Sequence, residues 1–203
     1  MKHSIRFASL LVCVTFVVLG GCEMFDKDKD KDNQKDTRGM QGGKDMGKVA
    51  VANVRPAKGA ATQPSMQNVT GTLTFTEVPG DKVQVVGEIR GLTPNSEHGF
   101  HIHEKGDLSA PDLSSAGPHF NPESKKHGGM HGPERHVGDL GNIRADGQGV
   151  ARVDMTMDDA TLSGKNAIVN RSIIVHAKPD DMKTDPSGNS GGRVAGGVIE
   201  MKK

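Results

Sequence analysis

The chain has no tryptophan, no tyrosine and only six phenylalanines. A sequence this poor in aromatics does not keep a clustered set of histidines for packing alone. Cysteine is nearly absent too, occurring only as Cys13 and Cys22. Everything after Cys22 lacks a thiol, which excludes a disulfide within it. Charge of one sign is missing: the formal net charge is +1, which excludes a dominant basic patch for nucleic acid or an anionic membrane surface. The longest apolar run, Phe7 to Leu19, is too short for a comfortable transmembrane helix. No internal repeat is evident.

What is present divides the chain into three parts. Lys2, His3 and Arg6 precede the apolar run, which ends in Leu19-Gly20-Gly21-Cys22. A basic start, a short apolar core and small residues are the pattern of an export signal, and the last four resemble the bacterial lipobox. That resemblance implies a signal peptide over residues 1–21, cleavage before Cys22 and lipid on Cys22. The expectation is an exported, membrane-anchored lipoprotein facing the periplasm or cell exterior, with the lipid bilayer as a partner. Residues 22–47 follow, with Asp26 to Asp32 alternating in sign and then Gly39, Gly42, Gly43 and Gly47. Nothing there can bury a core, so the reading is a disordered charged tether. As a flexible coil it would span ~25–30 Å. Residues 48–203 have the length of one domain.

Strand signals dominate that domain. Val69 to Thr76 alternates apolar residues with threonine, Pro79-Gly80-Asp81 is a turn, and Val83 to Ile89 returns as the second arm of a hairpin. Further strands are expected over Val49–Val54, Gly99–His103, Leu140–Arg144, Gly149–Met155, Ser172–Ala177 and Ala195–Met201, with a short helical turn at Asp158–Leu162. Residues 105–136 are rich in Gly, Pro, His and Ser without a period, and loops that long are usually functional. The pattern predicts an all-β, antiparallel sandwich or barrel.

Seven metal-capable side chains then stand out: His101, His103, His119, His127, His136, Asp139 and His176. His101 and His103 are two apart in a strand and share a face, while Ile102 points the other way into the core. His176 ends the run Ile173-Ile174-Val175 and comes from a second strand. The others lie on or at the end of the long loop. Four nitrogens suit Cu(II), and three imidazoles with a carboxylate suit zinc. An imidazole has two nitrogens, so one histidine can bridge two metals; His119, between the strand set and the loop set in sequence, is the candidate. His98 precedes its strand and reads as structural. Met130-His131 could add a surface copper contact, although a plain loop role is the more ordinary reading.

The segments Gly99-Phe100-His101-Ile102-His103-Glu104, Gly117-Pro118-His119-Phe120-Asn121-Pro122, Lys126-His127-Gly128-Gly129, His136-Val137-Gly138-Asp139 and Ile174-Val175-His176-Ala177 resemble the copper-zinc superoxide dismutase family. The likeness covers about residues 48–200 in unchanged order. It implies an eight-stranded Greek-key β-barrel with long metal-binding and electrostatic loops. It implies copper on His101, His103, His119 and His176, and zinc on His119, His127, His136 and Asp139, with His119 the bridge. Asp180 matches the aspartate that links a copper ligand to a zinc ligand, here His101 to His127. Arg193 matches the active-site arginine that attracts superoxide, the implied substrate. The implied activity converts superoxide to oxygen and hydrogen peroxide by alternate reduction and reoxidation of copper. A copper- or zinc-binding lipoprotein of the same fold without turnover is the alternative. A homodimer is a candidate assembly, since relatives pair through different surfaces.

The sequence departs from the family in its missing disulfide. Counting from the motifs puts Leu113 and Gly196 where the two cysteines usually stand. A large residue opposite one with no side chain suggests that Leu113 folds over Gly196 and partly replaces the bridge by burial. The loop from His176 to Arg193 is also short, and neither Lys183 nor Asp185 in it has an assigned role.

Overall fold

A computed structural model of the protein describes residues 47–59 and 66–203. The expected signal peptide, Cys22 and nearly all of the expected tether lie outside them. The described strands are β1 (Val49–Pro56), β2 (Thr70–Val78), β3 (Lys82–Arg90), β4 (Glu97–His103), β5 (Asp139–Arg144), β6 (Val150–Met157), β7 (Ser172–His176) and β8 (Arg193–Met201). Each expected strand is present, within a few residues at its ends. No helix among the described residues is long and apolar enough to cross a membrane.

Alternation builds the sheet. In β2 the threonines Thr70, Thr72, Thr74 and Thr76 face outward while Leu73 and Phe75 are buried. β2 pairs with β3 from Thr70↔Arg90 to Val78↔Lys82, so the Pro79-Gly80-Asp81 turn closes a regular hairpin. The spatial order is β5-β4-β7-β8-β1-β2-β3-β6, with every ladder antiparallel. The chain therefore passes from β3 to β4 and from β6 to β7 across the barrel, as in a Greek key. The end strands β5 and β6 lie against each other and nearly close the cylinder. β8 pairs with both β1 and β7 and joins the two halves. Leu73, Phe75, Phe100, Ile102, Ile173 and Ile199 meet in the core.

Two irregularities fall beside histidines. The β4/β5 ladder shifts register between Gly99 and His101, and the β7/β8 ladder between Val175 and His176. Such bulges re-aim side chains out of the regular pleat. The long loop is stitched along β4: Phe120 N–H donates to Ile102 O (2.8 Å), and Ile102 N–H donates to Gly138 O (2.9 Å). These bonds bring His119 beside His103.

The expected helical turn at Asp158–Leu162 is not formed; the segment is a bend with an isolated bridge from Thr161 to Ala167. Its backbone donors go elsewhere. Leu162 N–H donates to the Glu77 carboxylate (2.8 Å) and Thr161 N–H to Asn166 O (3.1 Å). Long-range partners replace the helical ones.

Candidate metal centre

The seven metal-capable side chains form two buried groups, His101/His103/His119/His176 and His119/His127/His136/Asp139. Within each, one ligand atom per residue lies within 4.8 Å of the others. These are the only such groups among the described residues. Strands deliver His101, His103 and His176. The stitched loop delivers His119, His127 and His136, and β5 opens with Asp139.

Hydrogen bonds dictate which nitrogen of each ring carries a proton. His103 Nδ1 donates to Gly117 O (2.9 Å) and His176 Nδ1 to Gly191 O (3.2 Å), because a carbonyl can only accept. Burial, then neighbouring histidines and Arg193, push both imidazoles well below their ordinary value against these bonds, so both rings are neutral. Their Nε2 atoms are then lone pairs, yet they face each other at 3.2 Å. His101 gives Nε2 to Asp180 Oδ2 (2.8 Å), and its Nδ1 is buried without a partner. His119 gives Nδ1 to Asp139 Oδ1 (2.8 Å), and its Nε2 is likewise without a partner. Burial holds His119 down at about 4 despite Asp139. Three lone pairs and the partnerless Nδ1 of His101 thus converge. That costs free energy unless a cation sits between them, and nitrogen donors suit copper.

The second group converges on one oxygen. Asp139 Oδ1 lies 2.8 Å from His119 Nδ1 and 3.1 Å from the Nδ1 atoms of both His127 and His136. Its other oxygen, Oδ2, accepts the main-chain N–H groups of Gly128 (3.0 Å) and His136 (2.9 Å). Burial raises the Asp139 carboxyl, but the surrounding histidines outweigh it and hold the group far below the carboxylate range. His127 gives Nε2 to Asp180 Oδ1 (2.9 Å), while its Nδ1 faces Asp139 without hydrogen-bond alignment. Burial pushes the His127 ring down, yet Asp139 and Asp180 pull it up to about 10. Three nitrogens around a carboxylate oxygen fit a tetrahedral zinc donor set.

Asp180 joins the groups, with one oxygen on His101 and the other on His127. Asn142 on β5 holds Asp180 by its main chain, accepting its N–H (2.7 Å) and donating to its carbonyl (2.9 Å). Gly188 is required there: its φ is +62°, and a Cβ on it would lie 1.7 Å from Asp180 Oδ1. Neither Asn142 nor Gly188 carries a periodic pattern or a charge, so neither was legible in the sequence.

Arg193 is half-buried. Its Nη1 donates to Leu113 O (2.5 Å) and its Nη2 to Gly117 O (2.6 Å). Leu113 is buried with Ala57, Ala116 and Ile174. Its Cδ1 lies 3.3 Å from where a Cβ on Gly196 would stand. The expected contact of Leu113 over Gly196 is therefore formed. Its φ of 61° places it in the left-handed region, uncommon for a bulky side chain.

His98 lies inside β4 rather than before it, buried outside both groups between Ser96 Oγ (2.7 Å from Nε2) and His176 O (2.8 Å from Nδ1). His131 is exposed, and Met130 packs partly against the core. Neither joins a metal-capable group.

Comparison with known proteins agrees on one family. The family model "Copper/zinc superoxide dismutase (SODC)" matches residues 69–199. Superoxide dismutase [Cu-Zn] 2 of Brassica juncea is 42% identical over 71% of this chain and 98% of its own length. Extracellular superoxide dismutase [Cu-Zn] of Brugia pahangi is 45% identical over 66% of this chain and 70% of its own. The crystal structure of the clock protein EA4 is similar with a TM-score of 0.67 and 43% identity, covering 77% of this chain and 96% of that one.

Proposed function

The chain belongs to the copper/zinc superoxide dismutase family, and from that premise we propose that His101, His103, His119 and His176 hold copper while His119, His127, His136 and Asp139 hold zinc. The protein is a superoxide dismutase that converts superoxide to oxygen and hydrogen peroxide, with copper and zinc as cofactors. The observation that carries the residue assignment is the convergence of four buried ring nitrogens on one point and of three nitrogens and a carboxylate on another, with His119 in both. When bound, copper supplies one-electron chemistry and zinc a fixed positive charge.

The chain's own residues do the rest. Arg193 attracts the superoxide anion, and two carbonyl contacts hold its fork in one orientation. The free Nε2 of His119 can take up and return a proton while Nδ1 stays on the Asp139 side. Asp180 fixes the rings of His101 and His127 together. A binding protein without turnover would have no use for an arginine held beside the copper group, so that reading is not favoured.

We read the chain as an exported lipoprotein, anchored through Cys22 and facing the periplasm or cell exterior. The leader pattern and the relative named extracellular support export; the Leu-Gly-Gly-Cys sequence supports the lipid. Residues 1–21 would then be the signal peptide, 22–47 the tether and 48–203 the dismutase domain, with a homodimer as the candidate assembly. Loading the protein with both metals and measuring metal content and superoxide consumption tests the enzymatic reading. Full occupancy without consumption would sink it. Labelled fatty acid that stays on a Cys22→Ser variant would remove the lipid assignment.

A further inference from the structure

The geometry points to a positioning residue in the short loop between β7 and β8: Asp185 holds His127 by its main chain, as Asp180 holds it by its ring. This rests on the reading of His127 as a zinc ligand.

Asp185 Oδ1 accepts the His127 N–H at 2.6 Å. The next amide, Gly128 N–H, turns to a different carboxylate, Asp139 Oδ2, at 3.0 Å. Two consecutive amides are thus held by acids from two distant parts of the chain. Hydrogen bonds to an ionised acceptor are the stronger kind. They matter here because residues 121–138 belong to no strand, so no ladder fixes the backbone of His127. The main chain sets where the side chain starts, and Asp180 sets where the ring ends. Anchored at both ends, the imidazole keeps one orientation.

The loop is folded so as to present Asp185. The Asp181 carboxylate accepts the N–H groups of Lys183 (3.0 Å) and Thr184 (2.8 Å), the Thr184 hydroxyl (2.7 Å) and the Asn189 amide (2.8 Å). Thr184 O accepts Gly188 N–H at 2.7 Å. One short segment therefore supplies both grips on His127. Asp185 is otherwise exposed, so water shares its charge and the effect belongs at the low end of the range for groups that support a metal ligand.

The test compares the metal-loaded protein with its Asp185→Ala and Asp185→Asn variants. Zinc transfer to a chelator and the visible spectrum of cobalt(II) in the zinc set are the readouts. Asp185→Ala should release zinc ~10-fold faster and shift the cobalt bands, with copper content unchanged. Asp185→Asn keeps an oxygen that can accept the same N–H and should behave close to the unaltered protein. Equal impairment of both variants, or unaltered release from Asp185→Ala, overturns the proposal. So does rapid hydrogen exchange at the His127 amide of the unaltered protein. His127→Ala, run in parallel, separates the two claims. If it retains zinc, the ligand reading fails; if it loses zinc while Asp185→Ala releases normally, only the role of Asp185 fails.

Discussion

The two metal-capable groups share His119 but are held by different means. His103 and His176 come from strands, and backbone carbonyls orient their rings. His127 and His136 come from a loop, and carboxylates orient both ring and main chain. His101, also on β4, takes the Asp180 carboxylate that links the groups, but for His103 and His176 a ladder fixes the backbone and neutral acceptors suffice. Where none does, acids replace it, and three of them are gathered around one histidine. The His103 and His176 rings are driven neutral by burial, whereas the loop ring His127 is pulled toward its charged form.

The largest expected effect lies where the groups meet. His119→Ala should lower the content of both metals and abolish turnover, whereas His136→Ala should chiefly lower zinc. Loss of a ligand should exceed the ~100-fold affinity change that loss of a supporting group can cause. Metal analysis checks this; a His119→Ala protein with both metals in full would break the shared-histidine comparison.

Next comes the apolar side. Leu113→Ala removes a buried side chain in a small satellite cluster and should cost about 2–4 kcal/mol. Urea unfolding measures the loss, and turnover should fall with it because Leu113 O holds Arg193. Unchanged stability would mean that the contact with Gly196 does not serve as a brace.

Acid sharpens the contrast in the metal-free protein. His103 and His176 have depressed values and His119 falls from 6.5 to about 4. Below pH 6.5 the unfolded chain takes protons that these folded rings refuse. Stability should therefore fall with pH, by about 1.4 kcal/mol per unit for each refusing histidine. His127 runs the other way: its contribution is complete below 6.5 and is lost as pH rises through about 10. A urea midpoint that stays level from pH 6.5 to 4.5 would contradict the strand-side reading.

Arg193→Ala should slow superoxide consumption ~10-fold and flatten its ionic-strength dependence, with both metals retained. The smallest effect expected is none. With no thiol after Cys22, a reductant such as dithiothreitol should leave the unfolding midpoint of the metal-free protein where it was.

The strand side of this comparison was the more legible. His101-Ile102-His103 carries a period of two, and Ile102 lies in the core while the two histidines share the opposite face and meet in one group. The barrel was legible from the same alternation in β2 and β3. The contact of Leu113 with Gly196 was legible from a size mismatch at two matched positions. On the loop side the resemblance supplied the ligands and Asp180, but not the residues that hold them in place. Asn142 and Asp185 act across long separations, such as Asp185 to His127, and Gly188 acts by having no side chain beside Asp180. No periodicity marks such residues, and their chemistry alone is that of ordinary loops. The same holds for Asp158–Leu162, where Glu77 from another strand takes the donor that a helix would have used.

The facing of β5 and β6 reaches beyond the site. An unpaired strand edge is a template on which another molecule can add a strand. Here the two outermost strands come together without a ladder between them, so the seam where the cylinder nearly closes holds two edges without a strand partner. Crowding many such barrels together should therefore direct any strand-to-strand association to this seam.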